Sequence, residues 1–176
     1  MKRPILWLPL GLFLVFAIMV AIRLRGTVDT SIIPSQMIGK PVPEFALPAA
    51  TAGHQPLAAA NLRQSGPHLV NVFASWCLPC KVEAPQLMAL KARGVRIEGV
   101  AVRDKPEDVA GFLAQSGDPF DRIGSDRTSR VQFDLGSSGV PESFIVDGRG
   151  IIRSQHIGDI RPEEVEDIAR AYEAAR

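Results

Sequence analysis

The 176-residue chain is poor in cysteine, histidine and aromatic side chains, with two Cys, three His, one Tyr and only 6% aromatics. Two cysteines are too few for a small secreted fold stapled by several disulfides, and no second Cys pair completes a thiolate zinc site. His54, His68 and His156 are scattered along the chain and form no ligand spacing. Neither sign of charge is in excess. A formal +1 gives no electrostatic case for nucleic acid as a partner. The chain also has no internal repeat, and 46% apolar against 22% charged residues excludes a disordered chain, a collagen-like repeat and a multi-span membrane protein. What fits this length is one domain with a short appendage.

The little charge there is lies unevenly. Lys2, Arg3, Arg23 and Arg25 precede residue 26 with no acid among them, which leaves 16 basic against 19 acidic residues, a formal −3, on the rest. Residues 4 to 22 are 19 consecutive uncharged positions, mostly Leu, Ile, Val, Phe and Ala. As a helix they span about 28 Å, close to the ~30 Å hydrocarbon core of a bilayer. Trp7 falls near one interface, Arg23 and Arg25 close the other end, and Pro4 and Pro9 sit where a lost backbone donor matters least. A cleaved signal peptide is the competing reading, but its apolar region is shorter, ~7–15 residues, and it ends in a small-x-small site. Ala21-Ile22-Arg23-Leu24-Arg25 is a poor one. The expected organisation is therefore an anchor over residues 1–26, a linker over 27–38 and a globular domain over 39–176. Charges on the two sides of the anchor nearly balance and barely decide its orientation.

The start of the globular part is rich in proline (Pro34, Pro41, Pro43, Pro48, Pro56) and reads as an irregular segment with one short strand or hairpin. From residue 68 the pattern becomes regular. Residues 68–74 and 95–102 are apolar, β-branched runs of strand length. A helix follows the cysteines, with Val82, Leu87 and Leu90 at helical spacing, and residues 106–115 form another with Val109, Phe112 and Leu113 on one face. Residues 143–146, the turn Asp147-Gly148-Arg149-Gly150 and residues 151–156 form a hairpin. The last helix, 162–174, begins at a proline followed by acids. Strand, helix, strand, helix, hairpin and helix make an α/β fold with a mixed central sheet flanked by helices on both faces.

Chemistry is concentrated in Trp76-Cys77-Leu78-Pro79-Cys80-Lys81. Two intervening residues let both sulfurs meet on the first turn of a helix, one exposed and one tucked beneath. The positive end of the helix, with Lys81 beside it, favours thiolate over thiol, and thiolate is the species that attacks a disulfide. Cys77, at the strand-to-helix junction, is the expected nucleophile; Cys80 would resolve the mixed disulfide. Half of a zinc site and a purely structural disulfide are the bland alternatives. Covalent haem attachment needs His after the second Cys, where Lys81 stands.

Trp-Cys-x-Pro-Cys-Lys with Pro85 five residues after Cys80 resembles the thioredoxin superfamily. The downstream run from Gly139-Val140-Pro141-Glu142-Ser143-Phe144 to Asp147-Gly148 resembles its CcmG/DsbE branch, membrane-anchored periplasmic thioredoxins of cytochrome c maturation. The resemblance covers about residues 36–175. It implies a thioredoxin fold, catalytic Cys77 and Cys80, and support from Trp76, Pro79, Lys81, Val140, Pro141 and Glu142, with no metal and no cofactor. Pro141 would be a cis-proline beside Cys77, Val140 would pair with a substrate strand, and Pro85 would kink the active-site helix. Asn71 stands where thioredoxins carry a buried acid, and the CcmG-like branch also lacks that acid. Any proton-handling role then falls to Glu142 or Glu83. Ser137-Ser138 departs from an aromatic common in the branch.

By the same resemblance the chain would be a reductase in the inner membrane, its soluble domain facing the periplasm. Electrons would come from a membrane donor of the CcdA/DsbD type and go to the C-x-x-C-H cysteines of apocytochrome c or to a helper that holds them. Alternatives are a TlpA-like reductant for copper-site cysteines in oxidase assembly and a redox-inactive apocytochrome holdase. A peroxidase would want Thr or Ser where Ala74 stands.

Overall fold

The computed structural model describes residues 8–25, 36–63 and 66–176. The chain separates into two compact units, Met1–Ile33 and Pro34–Arg176. Lys2, Arg3, Pro4 and Trp7 of the expected anchor, and the expected linker up to residue 35, lie outside the described residues. In the first unit, α1 (Leu8–Arg25) carries exposed Leu12, Phe13, Phe16 and Met19. Its uncharged portion, from Leu8 to Ile22, spans about 22 Å at 1.5 Å per residue. Among the described residues no helix is long and apolar enough to cross a membrane.

The second unit is built on a five-stranded mixed sheet. In chain order its strands are β3 (His68–Phe73), β4 (Ile97–Val102), β5 (Arg122–Asp126), β6 (Glu142–Val146) and β7 (Ile152–Ile157), arranged β5-β4-β3-β6-β7. β3, β4 and β5 run parallel, whereas β6 and β7 are antiparallel to their neighbours. The buried strands β3 and β4 are the continuous apolar runs of the sequence, as expected of strands covered on both faces. Helices α2 (Leu78–Ala92), α3 (Pro106–Ser116) and α5 (Val165–Ala174) contribute Leu87, Leu90, Phe112, Ile168 and Tyr172 to one hydrophobic cluster with Leu69, Phe73 and Ile97. The opposite face, with Val70, Val72, Val100 and Phe144, is covered by Leu57, Leu62 and the short α4 (Arg130–Asp134) through Val131. Among the described residues, the expected helices on both faces are therefore unequal: one face carries three, and the other has only the short α4 and a 3-10 turn over Ala59–Arg63, with irregular chain and a hairpin of two two-residue strands, β1 (Ala46–Leu47) and β2 (Leu57–Ala58), closing the rest.

β5 was not among the expected strands. Its sequence, Arg-Ile-Gly-Ser-Asp, has a single large apolar residue, and its pairing with β4 supplies what its side chains do not. Gly124 in its middle is required by packing. A Cβ there would meet Leu47 at 2.8 Å, because the β1–β2 hairpin lies across it. The outer edge of β5 is covered by the same segment: Ala50 N–H donates to the Ile123 carbonyl (2.9 Å) and Ser125 N–H to that of Pro48 (2.8 Å). The final helix also differs from expectation in its first turn, which is 3-10 over Pro162–Glu164 before α5 begins.

Strand periodicity sets the chemistry of the two faces. Asn71 and Ser143 are cross-strand partners and share the α2 face with Leu69, Phe73 and Ile145. Glu142, one residue earlier on β6, points to the other face with Val72 and Phe144.

Candidate active site

β3 ends at Phe73 and the chain turns at once into α2, closing the turn with the Cys77 N–H donating to the Ala74 carbonyl at 3.2 Å. Cys77 is the N-cap of α2, in extended backbone conformation, and its sulfur accepts the Cys80 N–H at 3.1 Å. That bond, together with the positive end of a 15-residue helix, stabilises negative charge on Cys77. Pro79 sits in the first helical turn, where its missing donor is no loss. Pro85 lies inside α2, where no proline N–H is present to bond the Lys81 carbonyl.

Cys77 and Cys80 are joined as a disulfide with Cα atoms 5.3 Å apart. The expected contrast of one exposed and one tucked sulfur is not seen: Cys77 is 4% exposed and Cys80 1%. The reason is the loop before β6. Its Val140–Pro141 peptide bond is cis, and the Val140 carbonyl oxygen lies 3.6 Å from the Cys77 sulfur. Around this covered pair the surface is apolar: Trp76 is 61% exposed, Phe133 63%, and Leu78 and Val82 are exposed on α2. A cleft of about 290 Å³ runs beside them, lined by Trp76, Arg103, Gln132, Phe133, Gly139 and Val140. Lys81 is exposed.

The two candidate acids part company. Neither is the solvated surface carboxylate that an exposed helix or loop position would make it. Glu142 is 1% exposed and serves as a clamp for the loop before it. Its Oε1 accepts the Ser138 N–H (2.9 Å), the Ser138 hydroxyl (2.6 Å) and the Gly139 N–H (3.2 Å), while its Oε2 accepts from Gln155 Nε2 (2.7 Å). The Ser137-Ser138 pair therefore has a structural use. Ser138 feeds Glu142, and Ser137 Oγ donates to the Gly139 carbonyl at 2.8 Å.

Glu83 lies three residues after Cys80 on the buried side of α2 and is fully covered. Its Oε1 accepts from Asn71 Nδ2 at 2.9 Å and its Oε2 from the Ile160 N–H at 3.0 Å. Burial pushes its carboxyl up to about 7, against the opposing pull of those hydrogen bonds. Asn71 Nδ2 also donates to Ser143 Oγ at 3.0 Å, so the uncharged amide anchors the carboxylate. The spacing of Val82, Leu87 and Leu90 does not reveal that Glu83 points inward with Leu87 and Leu90 while Val82 is exposed. A signal was present in Asn71, a polar residue inside an all-apolar strand that must find a partner.

Buried dithiol–disulfide chemistry at a helix N-terminus, opposite a cis-proline loop, on a mixed sheet of this order defines a thioredoxin-like redox protein. The redoxin family matches residues 37–172. The chain is 36% identical over 165 residues to the thiol:disulfide interchange protein HelX of Rhodobacter capsulatus, spanning 94% of this chain and 93% of that one. It is also 36% identical over 179 residues to the thiol:disulfide interchange protein DsbE of Escherichia coli K12, spanning 98% and 97%. A crystal structure from Chlorobium tepidum superposes with a TM-score of 0.66 at 29% identity, covering 78% of this chain and 96% of that one. The chain belongs to the redoxin family, within its DsbE/HelX group of thiol:disulfide interchange proteins.

Proposed function

We propose that the chain is a thiol:disulfide reductase of c-type cytochrome biogenesis, delivering electrons to the C-x-x-C-H cysteines of apocytochrome c or to a protein that holds them. The observation that carries this reading is the Cys77–Cys80 pair, placed at the positive end of α2, against Val140–Pro141 and inside an apolar rim. In the reduced form the Cys77 thiolate attacks one sulfur of the substrate disulfide, and the other substrate sulfur leaves and takes a proton. Cys80, deprotonated, then attacks the Cys77 sulfur and expels the second substrate thiol. Two electrons and two protons pass from the dithiol to the substrate, and the enzyme is left as the disulfide.

Cys80 must lose its proton within the core, and we infer that Glu83 takes it. It shares the buried side of α2 with Cys80, and its carboxyl lies near neutrality, where it can both accept and release a proton. Glu142 is across the sheet and acts on the loop. Its hydrogen bonds fix residues 138 and 139, which precede the Val140 backbone that would pair with a substrate strand. Trp76 and Phe133 form the rim on which a protein partner packs.

The same reading places residues 4–22 across the inner membrane, with the redox domain in the periplasm and a donor of the CcdA/DsbD type restoring the dithiol. What supports it is the uncharged 19-residue run and the helix found over its described part. Short tethering would raise the effective concentration of the dithiol near membrane-bound partners. The test is a trap. Cys80→Ser expressed in its native membrane leaves Cys77 in a mixed disulfide whose partner is read by mass spectrometry. A c-type apocytochrome or its thiol-holding helper supports the function; exclusive capture of a copper-site protein overturns it in favour of oxidase assembly.

A further inference from the structure

The loop after β4 carries a buried carboxylate that the exchange chemistry does not use. Asp104 is 6% exposed, and both its oxygens are spent on one residue: Oδ2 accepts the Ser75 N–H at 2.7 Å and Oδ1 the Ser75 hydroxyl at 2.6 Å. Ser75 lies two residues before Cys77, within the turn that Cys77 closes onto Ala74. Asp104 gains its direction from an uncommon backbone. Arg103 has φ +52°, in the left-handed region that non-glycine residues rarely enter, and its N–H is fixed to the Asp126 carbonyl at 3.1 Å.

That same carbonyl accepts the N–H of Ser129, the second left-handed non-glycine residue (φ +60°), at 3.2 Å. The Asp126 carboxylate in turn accepts the Arg130 and Gln132 N–H groups at 3.0 and 2.9 Å, and Gln132 Nε2 donates to the Gly139 carbonyl at 3.1 Å. One continuous set of bonds thus ties the turn bearing Cys77 to the loop bearing Pro141. Left-handed non-glycine residues and a buried carboxylate are both costly, and such costs collect at functional sites.

We propose that Asp104 is a positioning residue for Cys77: through Ser75 it sets the nucleophile's turn against Val140–Pro141, and its buried negative charge opposes formation of the Cys77 thiolate. The inference rests on Cys77 being the attacking sulfur. Its consequence suits electron donation. A couple whose thiolate is strongly stabilised holds its electrons and behaves as an oxidant, so restraint of the thiolate makes the dithiol the better reductant. The other charged groups on the elements around Cys77 are Lys81, Glu83 and Lys91 on α2, Arg103 and Lys105 on the same loop, Arg122 and Asp126 on β5, Arg130 and Asp134 on α4, and Glu142 after Pro141. Of these, Lys81 and Arg103 are exposed cations that act in the thiolate's favour.

The test compares full-length wild type, Asp104→Asn and Ser75→Ala, all reduced, in detergent. The readouts are thiolate ultraviolet absorbance against pH and the equilibrium with the glutathione couple. Asp104→Asn is expected to lower the Cys77 midpoint so that the thiolate fraction rises about tenfold at a pH below both midpoints, and to move the glutathione equilibrium toward the dithiol by about tenfold at a pH above both. Ser75→Ala keeps the charge, so its thiolate fraction stays within about twofold of wild type while its attack on oxidised glutathione slows several-fold. Values for Asp104→Asn within about twofold of wild type in both readouts overturn the proposal. Should that variant not fold, the carboxyl carbon resonance of Asp104 in the wild-type protein decides: it shows an inflection at the Cys77 midpoint, and a flat trace there overturns the role. Wild type that forms no mixed disulfide through Cys77 sinks the reductase reading instead, a result distinct from either of these.

Discussion

Glu83→Gln isolates the buried carboxyl beneath the thiols. A carboxyl raised from 4.5 to about 7 in the folded chain keeps its proton between those values while the unfolded chain has lost it. The folded state then binds more protons, so stability is highest below the unfolded value and declines as pH rises toward 7. Across that window the decline attributable to this group is ~3 kcal/mol. Glutamine has the same shape but does not titrate, and one end of its amide must face a donor, either Asn71 Nδ2 or the Ile160 N–H. That mismatch costs about 1–3 kcal/mol at every pH. The expected outcome is a variant clearly less stable than wild type at pH 5, with the gap closing or reversing by about pH 8. The assay is denaturant unfolding of both proteins in the oxidised form, so that no cysteine titrates, at several pH values. Every other ionisable group is common to the two and cancels in the difference. A stability difference that stays constant within ~0.5 kcal/mol from pH 5 to 8 refutes the assignment of a near-neutral carboxyl to Glu83.

Glu142→Ala removes the acceptor for three donors of residues 138–139 and for Gln155, and is expected to cost ~2–4 kcal/mol in urea unfolding; a loss below ~1 kcal/mol contradicts its role as the clamp of the cis-proline loop. The double change Trp76→Ala, Phe133→Ala removes only exposed rings, so stability should move by no more than ~1 kcal/mol. Exchange with protein disulfides should slow about tenfold or more while exchange with glutathione disulfide is nearly unchanged; equal slowing toward both means the rings serve the thiols and not the partner.

Much of this was legible in the residues, for reasons that can be named. β3 and β4 are continuous apolar runs because both their faces are buried, and the hairpin of β6 and β7 is announced by the Asp-Gly-Arg-Gly turn. The strand-to-helix position of the C-x-x-C motif places both sulfurs at the helix end, and α2 forms there. β5 was not legible, since its identity lies in the ladder with β4 and in the room Gly124 leaves for Leu47, neither of which is a local property. Nor was the division of labour between the two acids. Glu83 and Glu142 look alike in sequence, and only the alternation along β6 together with the inward face of α2 assigns one to the thiol side and the other to the loop side. The coverage of Cys77 was missed because the Val140 carbonyl that shields it comes from a segment 63 residues away.

If the chain is a reductase, Cys77 and Cys80 give up two electrons together to a partner's disulfide. That transfer is followed by mixing the fully reduced protein with an oxidised peptide carrying a C-x-x-C-H disulfide, quenching in acid at intervals and counting thiols on both molecules by alkylation and mass spectrometry. Each peptide gaining two thiols should be matched by one protein molecule acquiring the Cys77–Cys80 disulfide, and Cys77→Ser should abolish the transfer. A peptide that stays oxidised while the protein keeps both thiols, at concentrations where glutathione disulfide reacts, contradicts it.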